Sequence, residues 1–98
     1  MKILALEVDV LGVDESAFTE ELLEEEAARA WELYQSGVIR ELYFRADRLE
    51  AVLILECESL SEAKEELISL PLVRDKLIEF DLIPLEAYPG FARLFRHI

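Results

Sequence analysis

A chain of 98 residues with 53% hydrophobic and 33% charged residues predicts one globular domain with a limited core, so association between copies is an expected source of further burial. The formal net charge of −12 argues against nucleic-acid or anionic-membrane partners, because phosphate groups are bound by clustered Lys and Arg. Cys57 is the single cysteine, which excludes an internal disulfide and a metal site built on thiolates.

The N-terminal segment does not predict export or membrane insertion. Glu7 and Asp9 come too early for the apolar part of a secretory signal, and no apolar run approaches the roughly 20 residues of a membrane span. We therefore expect a cytoplasmic protein.

Residues 2–10 predict a first strand with two different faces. One face carries Leu4, Leu6, Val8 and Val10, and the other carries Ile3, Ala5, Glu7 and Asp9. Because the first set is the more apolar, we expect it to lie under the helices, which leaves the second set on the open face of the sheet.

Residues 18–36 predict a long first helix that ends at Gly37. Its apolar stripe consists of Leu22, Leu23, Ala27, Ala30, Leu33 and Tyr34, and Glu26 is the only charge on that face. Since an apolar setting disfavours the ionised carboxylate, it tunes such a group toward acid–base work near neutral pH. Glu26 is therefore the candidate catalytic residue. The alternative is a slightly rotated helix that places Glu26 at the solvent boundary, beside Arg29.

Residues 38–46 and 51–58 predict a hairpin of two strands. Leu42 and Phe44 fit the covered face of the sheet, which leaves Glu41, Tyr43 and Arg45 on the open face. Tyr43 and Arg45 are candidate ligand-binding residues, because Arg forms bidentate hydrogen bonds with carboxylates. The alternative is that Arg45 neutralises neighbouring acids.

A second helix and a last strand complete the domain. Ser59 and Glu62 form a capping box, the helix continues until Pro71, and the chain is expected to be extended afterwards, with a strand over residues 77–87. The order βαββαβ predicts a ferredoxin-like α+β fold over residues 1–88, a four-stranded antiparallel sheet with two helices on one face.

The open face of this sheet is expected to mix apolar and acidic side chains, among them Val52, Ile54, Glu79, Asp81 and Ile83. So much exposed Ile and Val favours a homodimer in which two sheets pair face to face into an α+β barrel. A solvated outer face is the alternative.

Residues 89–98 predict an amphipathic docking tail. Phe91, Leu94, Phe95 and Ile98 share one helical stripe, and Arg93 and Arg96 follow a body that contains all 22 acidic residues. Docking on the body or on a neighbouring subunit is the main expectation, and covering a ligand pocket is a variant of it. His97 lies too close to the terminus for a catalytic base.

Several local patterns match one family at corresponding spacing. They are the Glu-rich first helix ending in Gly37, then Arg40, Leu42 and Tyr43, Glu56, Leu67, Leu70-Pro71-Leu72, Ile78-Glu79 and Asp81. Over residues 20–85 the chain resembles muconolactone isomerase and its small dimeric α+β-barrel relatives. The resemblance implies paired sheets, often within larger rings, and proton transfer on a small unsaturated lactone without metal or cofactor. It matches the family's helix carboxylate to Glu26, whereas Glu41 stands in place of a family histidine and Ala27 in place of a basic residue.

The sequence therefore predicts a cofactor-independent protein of isomerase type that binds a small, partly apolar organic molecule between helices and sheet. The alternative is a non-catalytic oligomeric module with a small-molecule-binding or regulatory role. A third possibility is a structural assembly subunit, which would have no cavity. A cavity reached by Glu26, Tyr43 or Arg45 favours the enzyme.

Overall fold

The computed structural model describes residues 1–96, which form one four-stranded antiparallel sheet in the order β2-β3-β1-β4. The strands are β1 (Lys2–Asp9), β2 (Ile39–Phe44), β3 (Ala51–Glu56) and β4 (Ile78–Leu85), and the helices are α1 (Glu20–Gln35), α2 (Leu60–Ile68) and α3 (Pro71–Arg74). Short 3-10 helices span Glu15–Ala17 and Gly90–Leu94. The predicted ferredoxin-like α+β fold is confirmed, with α3 as an additional short helix.

Both long helices begin and end where the local sequence dictates. The Thr19 hydroxyl accepts a hydrogen bond from the Leu22 N–H at 3.2 Å, so α1 begins two residues later than predicted. Gly37 follows α1 with a φ of 88°, the left-handed conformation that glycine adopts without strain. At α2, the Ser59 hydroxyl accepts from the Glu62 N–H at 3.1 Å, which is one half of the predicted capping box. The Glu62 carboxylate accepts from the Glu58 N–H at 2.8 Å in place of the Ser59 N–H.

The chain after Pro71 differs from the expectation of an extended segment. The second helix does end before Pro71, but Pro71 then occupies the first turn of α3. Proline fits this position because the first N–H groups of a helix have no partner within that helix. The prediction of an extended chain at residues 71–74 was therefore wrong.

The predicted facing of β1 was also wrong. Ile3 and Ala5 are fully buried on the side that the helices cover, whereas Leu4, Leu6 and Val8 are only partly buried on the open face. The sheet register explains this, because Ala5 lies opposite Leu53 of β3 and Leu82 of β4, and residues directly opposite share a face. The more apolar set of β1 lies on the open face, so composition did not determine which set faces the helices.

The segment after β4 lies on the surface of the single chain. The rings of Tyr88 and Phe91 meet edge to face at 5.1 Å, while Phe91, Leu94 and Phe95 are each more than 60% exposed. Docking of the tail, residues 89–98, therefore stays a prediction. Two residues of the tail, His97 and Ile98, lie outside the described residues. Within residues 1–96, no helix is both long and apolar enough to cross a membrane.

Candidate functional site

A cavity of about 520 Å³ lies between the sheet and the helices α1 and α3. This volume is within the usual range for sites that bind small molecules. Buried side chains of the sheet and of the α2–α3 segment form its interior, and exposed apolar side chains surround its opening. The lining residues are Glu7, Phe18, Leu23, Glu26, Ala27, Ala30, Ile39, Leu42, Phe44, Leu49, Ala51, Leu53, Leu70, Leu72, Ile78 and Phe80.

Glu26 lies in the α1 wall of this cavity. It is half-buried, and its Oε1 accepts a hydrogen bond from the Leu72 N–H in the first turn of α3 at 2.9 Å. Burial raises the pKa of Glu26 above its usual value; the Leu72 hydrogen bond opposes this increase, and the Glu7 charge adds to it.

The alternative for Glu26 is correct in part: Glu26 is only half-buried, but Arg29 contacts other side chains. Arg29 donates a hydrogen bond to the Ser69 hydroxyl at 2.8 Å and pairs with Glu32 and Glu66, which connects α1 to the end of α2. The helix is nevertheless turned relative to the predicted stripe. It buries Leu33 most deeply and leaves Leu23 and Tyr34 exposed, while Glu26 stays on the inward side.

Glu7 is a second carboxylate in the cavity, and sequence reasoning missed it. It belongs to the face of β1 that the helices cover, and it accepts a hydrogen bond from the Ala51 N–H at 3.0 Å. Burial raises the pKa of Glu7, more than the Ala51 hydrogen bond lowers it. The strand alternation did contain a signal, since Glu7 shares a face with Ile3 and Ala5, but that face was assigned to the open side.

Basic side chains are placed outside the cavity. Arg74, whose charge lowers the pKa of Glu26, pairs with Asp75 at 2.9 Å and approaches Glu25 at 3.8 Å. Among residues 1–96, the lining contains Glu7 and Glu26 as its ionisable members and no Lys, Arg or His. The cavity is therefore an apolar space with two acids in its walls.

Tyr43 and Arg45, the two predicted ligand-binding residues, do not line this cavity. The Tyr43 hydroxyl donates a hydrogen bond to Glu41 Oε1 at 2.7 Å, and Tyr43 borders a shallower groove along the β2 edge. Arg45 pairs with Asp47 at 2.6 Å and Glu50 at 3.6 Å, an arrangement in which it neutralises neighbouring acids. A ligand contact for either side chain stays a prediction.

A metal centre has no support in the described part of the chain. Within residues 1–96, no group of three or more His, Cys, Asp or Glu side chains is placed to hold a metal ion. Cys57 is buried and unpaired, and burial raises the pKa of its thiol, which suits a packing role more than a reactive one.

The family model of muconolactone delta-isomerase matches residues 5–90. The chain belongs to the muconolactone delta-isomerase family. Thus the resemblance identified over residues 20–85 is confirmed and extends further toward both ends. A crystal structure of muconolactone isomerase superposes with a TM-score of 0.72 over 92% of this chain and 93% of that chain, at 19% identity, and so shares the fold. Comparison with curated proteins gives no match.

The two carboxylates, Glu7 and Glu26, lie in the walls of the same cavity. In each carboxylate, Oε1 accepts a hydrogen bond from a backbone N–H. The described residues donate no hydrogen bond to Oε2 of either carboxylate. A carboxylate in such a setting accepts a proton more readily than one in water, and its protonated form donates a hydrogen bond. The arrangement therefore suits proton transfer on a small molecule held against apolar walls.

Proposed function

We propose that this protein binds a small, partly apolar organic molecule in the cavity and transfers a proton on it, without a cofactor, in an isomerisation. The observation that carries the proposal is the half-buried Glu26 carboxylate in the wall of a 520 Å³ apolar cavity. Membership of the muconolactone delta-isomerase family supports an isomerase-type reaction.

The chemistry follows from the surroundings of Glu26. Its raised pKa brings the carboxyl group closer to neutral pH, where a general acid or base is most effective. The Leu72 N–H fixes Oε1, so the carboxyl group is held in one orientation toward the cavity. Removing such a group typically costs about 10²–10⁴-fold in rate.

A second candidate function is non-catalytic binding in the same cavity. The observation that favours it is that Glu26 caps α3: the preceding residue, Leu70, provides no side-chain cap, and the Glu26 oxygen accepts the Leu72 N–H instead. In that case Glu26 stabilises the start of α3, and the cavity belongs to a binding or regulatory module.

One substitution separates these two functions. Glu26→Gln retains an oxygen that accepts the Leu72 hydrogen bond but removes the acid–base group. We expect the wild-type protein to isomerise α-angelica lactone, a neutral unsaturated lactone, to its conjugated isomer, with the product followed by proton NMR. Glu26→Gln should lose about 10²-fold or more in rate while it still binds the lactone.

Glu24→Gln is the matched control, because Glu24 is an exposed carboxylate on the same helix. It should retain the wild-type rate. A Glu26→Gln protein that isomerises the lactone as fast as wild type contradicts the enzymatic proposal. Lactone binding without turnover in wild type supports the binding module instead.

A further inference from the structure

We propose that Arg29 is a positioning residue for Glu26: it holds the junction between α2 and α3 against α1 and thereby fixes the direction of the Glu26 carboxyl group. This role rests on the proposed function, because the direction of that group matters to the rate only if Glu26 transfers a proton. Arg29 does not line the cavity. It therefore acts through the junction and not on a bound molecule.

The junction is attached to α1 at two points. Arg29 Nε donates a hydrogen bond to the Ser69 hydroxyl at 2.8 Å, and Glu26 Oε1 accepts one from the Leu72 N–H at 2.9 Å. Glu26 and Arg29 are three positions apart and so lie on one face of α1, and Ser69 and Leu72 are also three positions apart. Pro71 lies between them and restricts the backbone. A displacement of Ser69 is therefore passed on to the Leu72 N–H.

The two helix ends at the junction lack partners of their own, and α1 supplies both. The last turn of α2 contains no basic residue, and Leu70 provides no side-chain cap for α3. A helix C-terminus is stabilised by a nearby cation, and the first N–H groups of a helix need an acceptor. Arg29 supplies the cation and Glu26 the acceptor. Because Arg29 is the only cation of α1, no other side chain of that helix can replace it.

Burial makes the Arg29 contact the stronger of the side-chain contacts around Glu26. The side chains of Arg29 and Glu66 are 32% and 30% exposed, and the Ser69 hydroxyl that accepts from Arg29 also donates to the Glu66 carbonyl oxygen. Such a partly buried network is more rigid than an exposed ion pair. The ion pair of Arg74 with Glu25, at 3.8 Å, also joins α3 to α1, but both side chains are more than half exposed and add little.

The rate of proton transfer should depend on this attachment. If the junction moves away from α1, the Leu72 N–H leaves Glu26 Oε1, and the carboxyl group can rotate. A misplacement of about 1 Å can cost about 10²-fold in rate. Loss of the Arg29 contact should therefore lower kcat much more than it raises KM, because the apolar side chains that line the cavity remain.

The test follows the Leu72 amide by NMR while the Glu26 carboxyl group is titrated in the full-length protein. In wild type, the amide signal should shift with the Glu26 midpoint, because the two groups share a hydrogen bond. This coupled shift should shrink in Arg29→Gln and in Ser69→Ala, which changes no charge. The Glu26 midpoint should rise in both, because a hydrogen bond that lowers its pKa is weakened. Arg29→Lys retains the charge and a donor and should restore part of the coupled shift.

The same variants are then assayed with α-angelica lactone. Arg29→Gln and Ser69→Ala should lose about tenfold or more in kcat with KM little changed. Ser61→Ala and Lys64→Gln are the matched controls, because both residues are exposed on α2. They should retain the wild-type coupled shift, Glu26 midpoint and kcat.

Two results overturn the inference. If Arg29→Gln and Ser69→Ala are less stable but retain the wild-type coupled shift and Glu26 midpoint, Arg29 has only a structural role. Wild-type kcat in both variants also excludes a positioning role. A wild-type protein that does not isomerise the lactone contradicts the proposed function alone, since the amide measurement still shows whether Arg29 fixes the Glu26 carboxyl group.

Discussion

Glu26 both caps α3 and loses water on folding, and these two effects act on its pKa in opposite directions. The Leu72 hydrogen bond stabilises the ionised form, whereas burial, the larger effect, favours the protonated form. The folded protein therefore binds this proton more tightly than the unfolded chain. By linkage, the contribution of Glu26 to the free energy of unfolding is largest at acidic pH and falls as pH rises from the unfolded pKa through the raised folded pKa.

This loss of stability with rising pH should be visible when Glu26→Gln is compared with the wild-type protein. Urea unfolding across a pH series should find that Glu26→Gln gains stability relative to wild type as pH rises from about 4.3 toward neutrality. Comparison with wild type removes from the measured stability difference the general charge repulsion within a chain of net charge −12. Glu24→Gln should show no such relative gain. A Glu26→Gln protein that loses stability relative to wild type over this interval would show that the carboxylate stabilises the fold in its ionised form.

At the scale of elements, features that depend on neighbouring residues were predictable and those that depend on distant partners were not. The Ser59 cap, the Gly37 helix end and the inward position of Glu26 each follow from residues within a few positions along the chain. The facing of β1 follows from its registers with β3 and β4, which pair it to residues more than forty positions away. That is why the sequence placed Glu26 correctly on the covered side and Glu7 wrongly on the open side.

The role of the C-terminal tail depends on whether its apolar side chains dock on another surface. Phe91, Leu94 and Phe95 would each contribute on the order of 1.5–3 kcal/mol at full burial, less the cost of ordering the segment. Deletion of residues 90–98 should therefore lower the melting temperature and weaken assembly, because a tail that reaches a neighbouring subunit couples folding to association.

Calorimetry and sedimentation velocity measure the two effects of that deletion. A double substitution, Phe91→Ser with Phe95→Ser, should reproduce most of both effects while it retains Arg93 and the chain length. If the shortened protein melts and sediments like the full chain, the tail does not dock.

At the scale of the whole molecule, the open sheet face is more apolar than the sequence led us to expect. Because β1 faces the other way, Leu4, Leu6 and Val8 join Val52, Ile54 and Ile83 on this face. Leu4 lies directly between Ile54 and Ile83 in the sheet. A continuous apolar surface of this kind strengthens the case for pairing two sheets into a dimeric α+β barrel, which stays a proposal.

The dimer should be present at micromolar concentration by light scattering. Leu6→Asp, which places a charge in the centre of the face, should dissociate it, whereas Leu11→Asp should have no effect because Leu11 is 98% exposed in a turn. Glu79 and Asp81 lie near the same face, so added salt or mild acid should tighten the dimer. A wild-type monomer would contradict the paired-sheet arrangement.

The central claim is that Glu26 holds its proton unusually well in an apolar cavity, and carbon-detected NMR titration of its carboxyl group measures this most directly. We predict a midpoint clearly above the ordinary glutamate value of about 4.3, together with a decrease of that midpoint in Glu7→Gln. A Glu26 midpoint at about 4.3 that is unchanged by Glu7→Gln would contradict the account.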